Sequence, residues 1–134
     1  MKWIVATVLS LALLTTGCAD PVPPMTPTPV APTLTETFTG TLTVFGSNSH
    51  PFSVRQVGGV LVSITDITPS ATVSLGIGTT SLTGCTVISN VTAVAAPTAQ
   101  ISGTATIAGD FCVSVSDAGK LVETVTYTVV VKHS

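Results

Sequence analysis

Two histidines are the side chains best suited to acid–base chemistry in this chain of 134 residues. A Ser-His-Asp hydrolase needs a base held against a nucleophile and oriented by an acid. His50 lies in a predicted turn before Pro51, and His133 is next to the end of the sequence, where order is usually poor. We therefore expect both histidines to be solvated or locally hydrogen-bonded, and we assign no catalytic residue.

The acidic side chains beyond the first 35 residues are spread over different turns, whereas glycosidase chemistry needs two carboxylates facing each other across a cleft. They are Glu36, Asp66, Asp110, Asp117 and Glu123. Asp110 and Asp117 are typical of turn residues that accept hydrogen bonds from nearby backbone N–H groups. A cation site that combines either carboxylate with loop carbonyls is the alternative. We predict no enzyme activity, no metal and no cofactor.

Residues 1–17 form a predicted signal peptide. Lys2 precedes an apolar run over residues 4–14, about 11 residues, whereas a membrane-spanning helix needs roughly 20. The run ends in Leu14-Thr15-Thr16-Gly17-Cys18. This resembles the lipobox of bacterial lipoproteins, although Leu14 lies one position further upstream than the usual pattern places it. The resemblance implies that Cys18 becomes lipidated and N-terminal; cleavage after Ala19, which would release a soluble protein, is the alternative.

The cysteine count agrees with lipidation of Cys18. The chain has 3 cysteines, and an odd number in an exported protein requires an explanation. If Cys18 carries lipid, Cys85 and Cys112 remain as one pair in an oxidising compartment. They are 27 positions apart, and closing such a loop stabilises a fold by roughly 3–4 kcal/mol in the chain-entropy model. The chain has no CxxC or Cys/His spacing, so we predict a disulfide rather than a zinc site.

The composition indicates a neutral β-domain outside the cytoplasm. Hydrophobic residues make up 45% of the chain but charged residues only 7%, so threonine, serine, asparagine and glutamine must supply the polar surface. Abundant threonine and valine favour strands, because β-branched side chains pack well on a pleated surface. A net charge of −2 and aromatic residues at only 4% exclude both a phosphate-binding footprint and a base-stacking platform. We therefore expect no nucleic-acid partner.

Residues 18–35 combine the predicted lipidation site with a proline- and threonine-rich linker. Such a stretch cannot form a helix or an interior strand, because proline lacks an N–H and restricts the residue before it. We expect an extended, semi-rigid spacer that holds the domain off the membrane. Simple disorder of the linker predicts the same exposure.

Residues 36–134 form one predicted all-β domain, in which apolar and polar residues alternate with period two. About eight strands with turns every 8–12 residues indicate a jelly-roll-type β-sandwich without helices. Phe38 and Tyr127 are predicted core aromatics. The predicted turns include residues 46–49, 68–70, 108–110 and 117–120, the last as a hairpin. The final predicted strand, residues 122–132, places Val125, Tyr127, Val129 and Val131 on one face.

The strand and turn sequences of this domain resemble a bacterial pre-peptidase C-terminal (PPC) domain. The opening matches are Gly40-Thr41-Leu42, Gly46-Ser47-Asn48-Ser49-His50-Pro51-Phe52-Ser53-Val54 and Gly59-Val60-Leu61-Val62-Ser63-Ile64; the closing ones are Gly109-Asp110-Phe111-Cys112-Val113-Ser114-Val115 and Val125-Thr126-Tyr127-Thr128-Val129-Val130-Val131. The resemblance implies a β-sandwich that is often appended to secreted hydrolases and that binds collagen or other polymers in some members. No peptidase precedes the domain in this sequence. Asn48 occupies a position where aspartate is common, so calcium binding is not implied.

These features together predict a non-enzymatic lipoprotein of the cell envelope, anchored to the lipid bilayer through acylated Cys18 at the outer membrane or cell surface. Its domain is expected to bind an extracellular polymer or an envelope protein. A purely structural envelope protein without a specific ligand is one alternative, and a soluble secreted protein is another.

Overall fold

The structure describes residues 17, 21–26, 28 and 32–134. These residues contain eight β-strands. The structure is a computed structural model, and it contains no helix within these residues. The strands are β1 (Leu34–Leu42), β2 (Ser47–Val54), β3 (Gly58–Thr68), β4 (Val73–Ser81), β5 (Gly84–Ala93), β6 (Ile101–Ala105), β7 (Gly109–Ser116) and β8 (Val125–His133). The predicted all-β class is confirmed.

The strands form two 4-stranded antiparallel sheets. Sheet A has the order β1-β8-β3-β6, and sheet B has the order β2-β7-β4-β5. Most successive strands therefore cross from one sheet to the other, which is the jelly-roll arrangement of a β-sandwich. Among the described strands, only β4 and β5 are consecutive in the chain and adjacent in one sheet.

The core lies between the two sheets and follows the period-two pattern. In β8 the inward side chains are buried. They include the four that the sequence places on one face, Val125, Tyr127, Val129 and Val131, and His133 continues the same row. Strands β3, β4 and β7 contribute matching rows of valine, isoleucine and leucine. Because side chains alternate between the two faces of a strand, each strand contributes one inward row. The inward rows of the two sheets together fill the interior.

Strand β1 begins at Leu34 and pairs there with His133. Several predicted turns are wrong. The first turn spans residues 43–46 rather than 46–49, because residues 47–49 already pair with β7. Gly109 and Asp110 open β7 instead of forming a turn. Residues 117–124 are not a hairpin: they connect β7 of sheet B to β8 of sheet A.

The end of the β4–β5 hairpin lies over the outer face of sheet B. A register shift between Ile77 and Gly78 bends the ladder, and β-bulges of this kind increase the local twist. A Cβ atom on Gly78 would overlap the carbonyl oxygen of Thr86, so only glycine allows the returning strand to approach this closely. At the tip, a Cβ on Gly84 would lie 3.7 Å from Ser49 Oγ of β2, two strands away from β4. We call residues 79–87 the hairpin arm.

Candidate functional site

The cysteines predicted to pair form a disulfide that holds the hairpin arm. Cys85 of β5 is bonded to Cys112 of β7, with a Cα–Cα distance of 5.7 Å. Strand β4 lies between these two strands in the sheet, so the bond passes over β4 at Gly78. Cys112 faces away from the core, yet it is only 1% exposed. We conclude that the arm covers it. The predicted lipidation site, Cys18, lies outside the described residues.

His50 is half-buried on an edge strand of sheet B, and its hydrogen-bond partner is distant in sequence rather than local. Its Nε2 shares a 2.7 Å hydrogen bond with the hydroxyl group of Tyr127, and its ring stacks on Phe38 at a centroid distance of 5.1 Å. Burial lowers the pKa of His50 below its usual value of 6.5. Burial also raises the pKa of Tyr127, and a hydrogen bond from the side chain of Asn48 opposes that rise. The two predicted core aromatics therefore hold this histidine.

His133 is buried, contrary to the expectation of poor order near the end of the sequence. Its side chain is 1% exposed, and its Nε2 lies 2.6 Å from Glu36 Oε1 on β1. The ring packs against Phe52 of β2 at a centroid distance of 5.2 Å. β1 and β2 are the edge strands on one side of the sandwich, so this contact joins the two sheets there. The partners of the two histidine rings are a phenol, a carboxylate and aromatic rings.

The two aspartates considered for a cation site have different roles. Asp117 accepts hydrogen bonds from the backbone N–H groups of Phe45, Lys120 and Leu121, which confirms it as a loop-organising residue. These bonds, that from Phe45 first, lower the pKa of Asp117. Asp110 instead accepts a 2.6 Å hydrogen bond from Ser53 Oγ, so its predicted bond to turn amides is wrong. Within the described residues, no cluster of three or more histidine, cysteine or acidic side chains is arranged to hold a metal ion.

Four loops meet at one end of the sandwich. Leu34, where the linker joins the domain, lies at the opposite end. They comprise residues 43–46, 69–72, 94–100 and 117–124, and we call them the distal loop surface. Two open clefts flank the 69–72 loop. One, of about 310 Å³, separates it from residues 94–95, and the other, of about 250 Å³, separates it from residues 120–123. Antiparallel strands of about nine residues put this surface roughly 30 Å from Leu34.

Phe45 is the most unusual residue of the distal loop surface. Its side chain is 88% exposed, and its φ is +59°, in the left-handed region that side chains rarely adopt. Two hydrogen bonds fix the turn: Phe45 N–H donates to Asp117 Oδ2 at 2.8 Å, and Gly46 N–H donates to the carbonyl of Thr43 at 2.8 Å. Sequence reasoning missed this residue, although Phe45 breaks the alternation that buries Leu42 and half-buries Val44.

An apolar groove opens on the side of the sandwich formed by the edge strands β5 and β6. It measures about 200 Å³, and Ile77, Ile101 and Phe111 are among the side chains that line it. Ile88 stands on its rim and is 72% exposed. The groove exists because β5 and β6 belong to different sheets and are not paired with each other.

The described residues include no helix long and apolar enough to cross a membrane.

Comparison with known proteins does not identify the chain. No protein-family model matches the sequence, and no curated protein matches it either.

Proposed function

We propose that this chain is an exported lipoprotein of the cell envelope, anchored through acylated Cys18, and that its β-sandwich is a non-enzymatic interaction module. Its partner is an extracellular polymer or an envelope protein, which it contacts through the distal loop surface. The observation that carries this proposal is Phe45, an exposed aromatic side chain held in a left-handed backbone conformation. Backbone conformations of this kind persist only where the surroundings enforce them, and they concentrate at functional sites.

The sequence supports the anchored part of the proposal. Gly17-Cys18 follows a short apolar run and precedes a proline-rich stretch that ends at Leu34. An extended linker of this length would reach roughly 50 Å at about 3.1 Å per residue. Because the linker joins the domain at the end opposite the four loops, an anchored domain would present the distal loop surface away from the membrane. Release as a soluble protein by cleavage after Ala19 is the alternative.

The distribution of aromatic side chains supports the interaction part. Phe38, Phe52, Phe111 and Tyr127 pack in the core or against it, whereas Phe45 points into solvent. Aromatic residues are enriched at protein interfaces, because each ring buries much apolar area. The resemblance to PPC domains, some of which bind polymers, favours the same function.

A purely structural role without a specific ligand is the rival proposal, and one surface favours it. The outer face of β1 carries Thr35, Thr37, Thr39 and Thr41, all exposed, and β8 adds Thr126 beside them. A uniform neutral surface of this kind suits packing against many neighbours. It offers none of the exposed aromatic anchors that a specific interface uses.

Thermal unfolding of the exported protein against a panel of envelope proteins and extracellular polymers tests the proposal. A ligand that binds only the folded state stabilises it by about 2.7 kcal/mol at a hundredfold excess over its dissociation constant. We expect at least one member of the panel to raise the Tm of the wild-type protein. Phe45→Asn should reduce that rise, because asparagine tolerates the left-handed conformation but removes the aromatic ring.

The matched control is Ile107→Asn, which removes an apolar side chain that is 68% exposed in the β6–β7 loop, near the linker end. This variant should keep the full ligand-induced rise in Tm. If no member of the panel raises the Tm, the structural role replaces the interaction module. If the two variants lose the rise equally, the ligand does not bind through Phe45 and the distal loop surface is not the interaction site.

A further inference from the structure

Threonines on the outer face of sheet A are arranged regularly in two directions. On β1, Thr35 and every second residue up to Thr41 are exposed threonines. On the neighbouring β8, Thr126 pairs with Thr41. Two residues further along, Thr128 pairs with Thr39. Paired residues of antiparallel strands lie on the same face, so these two pairs form two adjacent ranks of side chains. The threonine array comprises Thr37, Thr39, Thr41, Thr126 and Thr128.

A shallow trough separates the two ranks of the threonine array. It measures about 370 Å³, and besides threonines of the array it is lined by Gly40, Asp66 and Tyr127. Gly40 and Tyr127 are paired across the two strands, and the side chain of Tyr127 is buried in the core. The backbone of this pair therefore forms the floor of the trough. The array presents two lines of hydroxyl and methyl groups to solvent, with space for water between them.

The array repeats at two distances that the geometry of a β-sheet fixes. Neighbouring strands lie about 4.8 Å apart, and alternate residues of one strand lie about 6.8 Å apart. Threonine is branched at Cβ, which restricts its χ1 rotamers, so each hydroxyl and methyl group has few positions available before a ligand arrives. The prism faces of hexagonal ice repeat their oxygen positions at two similar distances, also at right angles to each other.

The chemistry of the array limits which ligands match it. A hydroxyl group donates and accepts hydrogen bonds without carrying a charge, as a water molecule does. The charged side chains that border the array on β3 and β8 are Asp66 and Lys132, one of each sign, so the face attracts neither polyanions nor polycations. Phe38 and Tyr127 pack in the core or against it, and the face therefore lacks the aromatic anchors of a protein interface.

We propose that the threonine array binds ice. A surface that repeats in two directions without charge matches a neutral ligand that repeats in the same two directions. Ice is such a ligand, and each of its molecules both donates and accepts hydrogen bonds. The methyl groups support the contact, because apolar groups restrict the orientations of the water beside them. The site lies apart from the distal loop surface, and it depends neither on acylation of Cys18 nor on Phe45.

Thermal hysteresis of the purified exported protein tests the proposal. This quantity is the gap between the melting point of a seed crystal and the temperature at which the crystal begins to grow. We expect wild type to shape seed crystals into facets and to show a hysteresis that rises with protein concentration. Thr39→Lys should lose both effects, because the lysine ammonium keeps a strong hydration shell of its own between the threonines.

Thr92→Lys is the matched control, because it places the same side chain at an exposed position of β5 in sheet B. It should keep the hysteresis of wild type, and both variants should keep the wild-type Tm. Slow freezing gives a second readout: wild type and Thr92→Lys should be enriched in the growing ice, and Thr39→Lys should be excluded from it. The proposal is overturned if wild type shows no hysteresis, or if the two lysine variants retain it equally.

Discussion

Phe45 and Asp117, 72 positions apart in the sequence, are joined by a 2.8 Å hydrogen bond from the backbone N–H of Phe45 to Asp117 Oδ2. Asp117 N–H in turn donates to the carbonyl of Gly46 at 3.0 Å. These two bonds lock the β1–β2 turn against the β7–β8 loop. The exposed ring of Phe45 is therefore presented by a fixed backbone rather than by a mobile loop.

Replacing Asp117 by alanine should loosen both loops. The carboxylate accepts hydrogen bonds from Phe45, Lys120 and Leu121, and the variant leaves these amides to water. We expect a lower Tm and faster hydrogen exchange at the amides of residues 45 and 120–121. Glu123→Ala, in the same loop, is the control and should change neither. Because these bonds lower the pKa of Asp117, they stabilise the fold at neutral pH. Their contribution is lost as the pH falls through the lowered pKa. Unchanged exchange in Asp117→Ala would contradict this role.

Gly78→Ala should strongly destabilise the domain. The added Cβ would overlap the carbonyl oxygen of Thr86, a backbone atom that cannot rotate away. We expect a loss of about 1–3 kcal/mol in the free energy of unfolding, measured by urea denaturation. Gly103→Ala on β6 is the matched control, because no atom lies within 4 Å of the position that its Cβ would take. Equal stability of the two variants would show that the hairpin arm is not packed as described.

Removing the carboxylate partner of His133 should also destabilise the fold. In Glu36→Ala the buried Nε2 of His133 loses its 2.6 Å partner, and an unsatisfied buried polar group costs about 1–3 kcal/mol. Urea denaturation at pH 7 measures this loss. Glu123→Ala should lie within about 0.5 kcal/mol of wild type, as most surface substitutions do. A Glu36→Ala chain as stable as Glu123→Ala would mean that the carboxylate of Glu36 does not stabilise the buried His133.

Mild acid should reduce stability through His50. Burial lowers its pKa in the folded state, so the unfolded chain binds more protons between that lowered value and about 6.5. The contribution of neutral His50 is therefore complete above pH 6.5 and is lost as the pH falls through the folded-state pKa. The groups that contact its ring are the hydroxyl of Tyr127 and the ring of Phe38. In thermal unfolding at successive pH values, His50→Gln should show a weaker fall in Tm over this window than wild type. An equal fall would assign the pH dependence to other groups.

The parts of the fold that the sequence predicts are those governed by local alternation. The inward row of β8 is correct because a long run of alternating residues has one register that buries its apolar face. The disulfide is correct because only two cysteines remained once Cys18 was set aside. Both inferences use short patterns or simple counting rather than tertiary contacts.

The features that were missed depend on contacts distant in sequence. Glu36 and His133 are 97 positions apart, and nothing local marks them as partners. The hairpin arm depends on a register shift between Ile77 and Gly78. A glycine in a strand sequence does not by itself indicate which part of the backbone packs against it. The left-handed conformation of Phe45 is fixed by Asp117 from another loop, so a local turn rule that favours glycine or asparagine there does not anticipate it.

Mass spectrometry of the N-terminal peptide of the exported protein is the sharpest test of membrane anchoring through Cys18. We expect a chain that begins at Cys18 and carries the added mass of acyl groups, recovered in the membrane fraction. Cys18→Ser should abolish both the added mass and the recovery in membranes. An unmodified chain that begins at Asp20, or one that retains residues 1–17, would contradict lipid anchoring.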